Sequence, residues 1–335
     1  MIYVVIAFLW VAICLYLILG GADFGAGIVE LFSEKSYKKR TQKIMYNSIG
    51  PIWEANHMWL IIAIVILFVG FPKIYADVSN YLHIALVIML LGIIARGTSF
   101  TFRNYDAIND KWHNLYDVIF TYSSVVTPLF LGIIAGSIVS GSIDDNALSF
   151  QDAYIFSWLS WFNFSVGIFT VVICAFLASV YSIQTVKNEE DKVILRKRAK
   201  IYTALIFVAG ALVFAVSLWK NIPLFSWITS EIYGYIAIAI ASISIVLLLS
   251  ALNKAKDSLL KVYAGIIVMM ILFAASYSHF PNLVLFKDGS TLSLLKDYGA
   301  MSTINMLAWA LLLGSIFILP FLFYLIYSFN QKQKI

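Results

Sequence analysis

Glu54, Asn56 and His57 lie close together in the sequence, at the start of a long apolar run. The residues from Ile61 to Val69 are all apolar, so the segment is predicted to continue as a membrane-spanning helix. An ionisable side chain inside such a helix costs a few kcal/mol and usually has a functional reason. Glu54, with a titratable His57 three residues further on the same helix face, is therefore the first candidate for a proton-carrying residue.

Further charged residues are predicted in the same half of the first four helices. Asp23 and Glu30 are seven residues apart on one face of helix 1, Arg96 ends helix 3, and Asp117 begins helix 4. Carboxylates spaced from the membrane surface towards its middle can relay protons. The alternative is that Arg96 pairs with Asp117 or Glu30 and only clamps the helices together.

Asp23 also has two interpretations. It could belong to the same proton path as Glu54. It could equally hydrogen-bond across a close helix contact, because small residues let two membrane helices approach each other. Four glycines surround it in the sequence: Gly20, Gly21, Gly25 and Gly27.

Metal and haem sites are not favoured by the sequence. His83 and His279 are predicted near the outer ends of two helices, where two axial histidines could hold a haem, but chance explains this match more simply. Cys14 and Cys174 fall within apolar helices and are expected to be buried apolar side chains rather than a disulfide.

The elements that must position these residues are membrane helices. The 335-residue chain is 61% hydrophobic and 12% charged, with a mean hydropathy of +0.89, which excludes an ordinary soluble domain. We predict an all-α polytopic protein forming one integral membrane domain over residues 1–335, with helices 1–4 in 1–139, helices 5–8 in 154–280 and helix 9 in 300–328. The nine predicted spans are 2–32, 51–71, 78–96, 114–139, 154–183, 201–219, 232–252, 261–280 and 300–328.

The basic residues predict the orientation of these helices. Alternate connections and the C-terminus carry 19 of the 23 Lys and Arg residues, and the opposite side carries only Lys73, Lys220, Lys287 and Lys296. The positive-inside rule therefore places the N-terminus outside and the C-terminus in the cytoplasm. The basic segment 35–43 is expected to lie against anionic lipid, not to bind nucleic acid.

Several segments together resemble subunit II of the cytochrome bd-type quinol oxidases. The most specific is the block Asn47–Leu60, in which Trp53, Glu54, Asn56 and Trp59 match. The other matching segments are Gly21–Gly27, Arg96 with Phe100–Arg103, Trp112–Asp117, Phe280–Pro281 and Ser302–Met306. The resemblance covers essentially the whole chain.

The resemblance implies a bacterial terminal oxidase of two related subunits, each with two four-helix bundles and an extra helix. Subunit I would carry two haem b groups and haem d together with the quinol-oxidising loop. This chain would bind no haem or metal itself. Some relatives hold a structural quinone, and a small single-helix subunit is a further candidate partner beside membrane lipids and the quinone pool.

The resemblance also implies roles for individual residues. This chain would stabilise the haem arrangement of subunit I and contribute Glu54 to a proton path from the cytoplasm, with Trp53 and Trp59 structural. Relatives often have a second Asp three residues before Asp23, where this chain has Gly20. Two other functions remain open: a proton-coupled secondary transporter, and a purely structural scaffold.

Overall fold

The computed structural model describes residues 1–50, 53–105 and 112–332, most of which are helical. A π-helical turn, Tyr16–Gly20, joins the first two helices into one long span. The elements in chain order are α1 (Ile2–Leu15), α2 (Gly21–Leu31), α3 (Lys38–Ile49), α4 (Trp53–Gly70), α5 (Pro72–Tyr81), α6 (His83–Tyr105), α7 (His113–Val139), α8 (Phe150–Tyr154), α9 (Trp161–Ile183), α10 (Glu189–Trp219), α11 (Leu224–Thr229), α12 (Ile232–Asn253), α13 (Leu260–Ser276), β1 (Asn282–Leu285), β2 (Thr291–Ser293) and α14 (Met301–Lys332).

Eight helices within the described residues are long and apolar enough to cross a membrane: α1 with α2, then α4, α6, α7, α9, α10, α12 and α14. The predicted span 261–280 corresponds to α13, which has 17 residues. At about 1.5 Å per residue α13 is about 26 Å long, slightly less than the roughly 30 Å of hydrocarbon in a bilayer. The all-helical membrane fold is thus confirmed, whereas the count of nine and the pair of four-helix bundles remain predictions.

Several predicted boundaries are wrong because capping residues lie elsewhere. The predicted span 201–219 begins at Glu189, where the Asn188 side chain accepts a hydrogen bond from the Glu190 amide. The predicted span 154–183 begins only after Ser160, which caps α9 in the same way through Asn163.

Two more predicted boundaries move for other reasons. Pro72 starts the separate short helix α5, so the predicted span 78–96 becomes α6 and begins at His83. The basic segment 35–43, predicted as a connection, leads into α3. The start of the predicted span 51–71, at Pro51 and Ile52, and the basic residues Lys111 and Lys334 lie outside the described residues.

Helix α2 lies at the centre of the protein, against α7 and α9. Two glycines make this close approach possible. A Cβ added to Gly25 would lie 1.9 Å from the Cys174 carbonyl oxygen of α9, and one added to Gly27 would lie 2.2 Å from Ser124 Oγ of α7. The sequence-based expectation that glycines bring helices together around Asp23 is confirmed at these two positions.

The two ends of the helices have different connections. We call the end with residues 32–50 and 184–188 the basic end. At the opposite end β1 and β2 form an antiparallel hairpin, and Lys73 Nζ contacts Asp297 Oδ1 at 3.0 Å. Helix α14 returns from that end and packs against α1 and α4.

Candidate proton-transfer site

Asp23 is one of two fully buried carboxylates of the predicted site, the other being Glu30. Asp23 lies in the first turn of α2, its surface is 1% exposed, and the Asn56 amide nitrogen of α4 donates to both of its carboxylate oxygens, at 3.1 and 3.0 Å. Asn56 reaches it because Asn56, Trp59 and Ala63 form the buried stripe of α4 at helical spacing. The structure therefore joins two of the predicted site residues in one buried hydrogen-bonded pair.

Arg96 lies beside this pair but does not form the predicted ion pair. Its Nη2 donates to the backbone carbonyl of Asp23 at 2.6 Å, and its guanidinium carbon lies 5.1 and 5.2 Å from the ring centroids of Phe24 and Phe120. No carboxylate oxygen of the described residues lies within 4.0 Å of its nitrogens. The expectation that Arg96 pairs with Asp117 or Glu30 is wrong.

Arg103, seven residues or about two turns further along α6, forms those ion pairs instead. Its Nη1 donates to Glu30 at 3.0 and 3.1 Å and to Asp117 at 3.3 Å, while Gln42 Nε2 donates to Asp117 at 2.8 Å. The signal was present in the sequence, because Arg96 and Arg103 are seven residues apart, as are Asp23 and Glu30. When two adjacent helices carry groups at equal spacing, the first groups of the two helices lie at one level and the second groups at the next. Arg96 therefore lies beside Asp23, and Arg103 lies beside Glu30.

Glu54 lies on the surface of this chain. It is the second residue of α4 and is exposed, on the same helix face as the exposed Ile61, Val65 and Phe68. Within the described part of the chain no basic nitrogen lies within 4.0 Å of its carboxylate. A carboxylate at a helix N-terminus is favourable, but one facing lipid is not, so this face is suited to contact with another protein.

His57 and the two tryptophans belong to the same helix as Glu54 and Asn56. The His57 ring centroid is 6.0 Å from that of Tyr16, 5.6 Å from that of Phe24 and 6.1 Å from that of Trp53. His57 Nδ1, Trp59 Nε1 and Tyr16 Oη are buried and have no hydrogen-bond partner among the described residues. Buried polar atoms in native proteins are normally paired, often with ordered water.

The histidines predicted as a haem pair lie in different surroundings. His83 Nδ1 is 2.7 Å from the Asn80 carbonyl oxygen and its ring packs against Tyr154, whereas His279 packs against Trp227. Among the described residues no group of three or more His, Cys, Asp or Glu side chains could hold a metal ion. Within the described residues these two histidines therefore share no ring or hydrogen-bond neighbour.

A second cluster of charges joins α3 to α10 at the basic end. Asp191 accepts a hydrogen bond from the Tyr37 hydroxyl and lies 2.6 Å from Arg40 Nε. Burial, and then the hydrogen bond to Asp191, raises the pKa of Tyr37 to about 12. With Arg196 bonded to Asp257, these contacts show that α10 carries buried charges at the basic end.

Comparison with known proteins reveals several relatives. A family model described as cytochrome bd terminal oxidase subunit II matches residues 1–329. Cytochrome bd ubiquinol oxidase subunit 2 of Bacillus subtilis is 25% identical over 220 residues, which are 65% of this chain and 62% of that protein. Cytochrome bd-I ubiquinol oxidase subunit 2 of Escherichia coli K12 is 28% identical over 177 residues, 50% of this chain and 46% of that protein.

The matched segments thus span between about half and three fifths of these two curated relatives. A chain of the bd oxidase structure from Geobacillus thermodenitrificans has the same fold, with a TM-score of 0.78 at 18% identity over 98% of each chain. Since the family model covers nearly every residue, the chain belongs to the cytochrome bd terminal oxidase subunit II family.

Proposed function

We propose that this chain is the non-haem subunit II of a bacterial cytochrome bd-type terminal oxidase, which couples quinol oxidation to the reduction of oxygen to water. Within it, the chain stabilises a haem-bearing subunit I and supplies that subunit with protons from the cytoplasm. The observation that carries the proton role is the placement of Asp23. It is a carboxylate enclosed by α2, α4 and α6, about 12 Å along α2 from the basic end.

The exposed face of α4 supports the contact with subunit I. It combines Glu54 near the basic end with a stripe of apolar side chains, and a carboxylate on such a stripe needs a protein neighbour rather than lipid. The α4 face is therefore the surface through which Glu54 passes protons to the partner subunit. Because lipid and protein interiors are equally apolar, this contact depends on close packing of side chains.

The positions of the charged groups support proton uptake from the cytoplasm. Asp23, Glu30, Asp117 and Glu54 all lie towards the basic end, which the positive-inside rule places in the cytoplasm, with the N-terminus outside. The haems of subunit I would supply the electron-transfer chemistry, with quinol as the electron donor. This chain's residues would bind, orient and pass on the protons that oxygen reduction consumes.

Steady-state oxygen consumption tests this function on the complex purified through a tag on this chain. We expect Glu54→Gln and Asp23→Asn each to lower quinol-driven turnover by about tenfold or more with the haem spectrum unchanged, an effect typical of losing a proton-transfer group. Glu34→Gln, an exposed acid at the basic end, is the matched control and should retain turnover. Wild-type turnover in both test variants would overturn the proton role, and absence of haem would overturn the oxidase assignment.

A scaffold is the second candidate, because the two hydrogen bonds from Asn56 to Asp23 would also join α4 to α2 in a purely structural subunit. The isosteric change Asp23→Asn separates the two. A scaffold tolerates the amide, whereas a proton path does not. A proton-coupled transporter would assemble without a haem-bearing partner, so co-purification separates that function.

A further inference from the structure

A small cavity with a mixed apolar and polar lining lies on the side of Asp23 that faces α9 and α13. Its volume is about 50 Å³, several times the roughly 10–15 Å³ that one water molecule needs on this measure. Its polar lining comes from five helices and consists of Asp23, Ser48, Asn56, Tyr181, Ser182 and Lys261. A space of this size with six polar side chains is suited to a few ordered water molecules.

Lys261 makes the cavity different from an ordinary packing defect. Its ammonium nitrogen lies 5.9 Å from the Tyr181 ring centroid, and no carboxylate of the described residues lies within 4.0 Å of it. A half-buried ammonium without a counter-ion needs water or another polar partner, since desolvating a charge is costly. Water in the cavity would hydrate Lys261 at one end and the carboxylate of Asp23 at the other.

The cavity extends from the basic end towards the middle of the protein. Ser48 is in the last turn of α3 and Lys261 is the second residue of α13, both at the basic end. Asp23 lies about 12 Å further in along α2. The polar lining residues thus lie at several levels between that end and Asp23.

Further unpaired polar atoms lie near Asp23. Arg96 Nε, Tyr16 Oη and His57 Nδ1 are all buried without a hydrogen-bond partner among the described residues. Tyr16 lies in the π-helical turn directly before α2, and such turns leave backbone groups available at functional sites. Asp23 therefore lines the cavity and has a second group of unsatisfied polar atoms nearby.

We propose that this cavity is a water-filled proton entrance, through which Asp23 receives protons from the basic end, with Lys261 and Ser48 at its mouth. This inference rests on the proposed function and adds an entrance through α9 and α13, apart from the Glu54 face of α4. A proton leaves bulk water, passes along the hydrogen-bonded water of the cavity and binds an Asp23 carboxylate oxygen. The positive charge of Lys261 orients this water.

The test blocks the cavity after the complex has assembled, so that folding does not affect the result. Ser48→Cys is introduced, the haem-containing complex is purified, and N-ethylmaleimide is added. We expect N-ethylmaleimide to lower the oxygen consumption of the Ser48→Cys complex about tenfold relative to the same complex untreated, equivalent to about 1.4 kcal/mol on the barrier. The treated wild type is the control for Cys14, Cys174 and the partner's thiols, and treated Lys43→Cys is the control for labelling on the exposed side of α3.

Two further variants test the role of the ammonium. Lys261→Met should slow turnover while Lys261→Arg retains most of it, because only the second keeps the charge. Full activity of the labelled Ser48→Cys complex, or no labelling of Cys at this position, would overturn the entrance. If Asp23→Asn and Glu54→Gln also have wild-type turnover, the proposed function fails as a whole; if they are slow, only the entrance fails.

Discussion

At the residue scale, the candidate site depends on which buried charges have partners. The Asp23 carboxylate accepts from the Asn56 amide and has no basic nitrogen of the described residues within 4.0 Å, since Arg96 bonds only to the Asp23 backbone, whereas Glu30 has Arg103 in a fully buried ion pair. A carboxylate bound only by neutral donors can gain and lose a proton more readily than one that is held by an arginine. This contrast assigns proton transfer to Asp23 and a structural role to Glu30.

Exchanging the members of the Asp23–Asn56 pair tests its hydrogen bonding. We expect Asn56→Ala to destabilise the purified complex by about 1–3 kcal/mol, because it leaves the Asp23 carboxylate buried without its donor. The double variant Asp23→Asn with Asn56→Asp restores a donor and an acceptor and should recover much of the thermal stability. Equal melting temperatures for Asn56→Ala and the wild type would contradict the pairing.

We expect the Arg103 ion pairs to stabilise the protein without taking part in proton transfer. Arg103→Gln leaves Glu30 buried with an uncompensated charge and should cost about 3–5 kcal/mol, seen as loss of assembled complex. Adding Glu30→Gln removes that charge and should restore assembly and oxygen consumption together. If the double variant assembles but turns over slowly, Glu30 belongs to the proton path and the structural assignment is wrong.

At the element scale, the position of α2 depends on glycines. Gly25→Ala would place a methyl group 1.9 Å from a backbone oxygen of α9, so the helices must separate. We expect a markedly lower melting temperature and less assembled complex. The control Gly210→Ala on α10 meets only the Phe169 ring at 3.7 Å, an ordinary contact, and should behave as wild type. Similar stability of the two variants would contradict the close packing of α2.

The membrane helices were predictable from the sequence because a helix that crosses the hydrocarbon of a bilayer must consist of a long run of apolar residues. Their ends were less predictable. Asn188 and Ser160 begin helices through side-chain hydrogen bonds whose strength depends on backbone geometry. The segment before residue 201, predicted as a loop, is therefore helical from the cap at Asn188. Its charged residues are compatible with a helix that extends beyond the membrane.

The candidate site was predictable only in part. The grouping of carboxylates in one half of the first helices came from residue types and depth. The equal seven-residue spacings in the sequence left both Arg96 and Arg103 as possible partners of Glu30, and the choice between them required the orientation of α6 relative to α2. In the sequence Lys261 is only a basic residue near a helix end, because the fold that brings it to the same cavity as Asp23 joins segments distant in sequence.

At the scale of the whole molecule, the distribution of exposed side chains indicates where the partner subunit binds. Both α4 and α12 expose large apolar residues, as expected for helices in lipid. Only the exposed stripe on α4 also carries the carboxylate Glu54. We therefore expect subunit I on α4 and lipid on α12.

Enlarging one exposed residue on each helix distinguishes a protein contact from a lipid contact. Val65→Trp on α4 should reduce the haem recovered with this chain, because a packed protein interface has no room for the larger ring. Val246→Trp on α12 should have no such effect, since lipid chains rearrange around it. Reduced haem recovery in the α12 variant alone would move the interface to that helix.

Proton uptake by liposomes that contain the purified complex tests the central claim most directly. Vesicles with the basic end of this chain facing inward, loaded with a pH-sensitive dye, receive quinol and then a pulse of oxygen. We predict that the interior becomes alkaline with the wild-type complex, and that Asp23→Asn abolishes most of this change although the haem spectrum is unchanged. Alkalinisation at the wild-type rate by Asp23→Asn would contradict proton uptake through this chain.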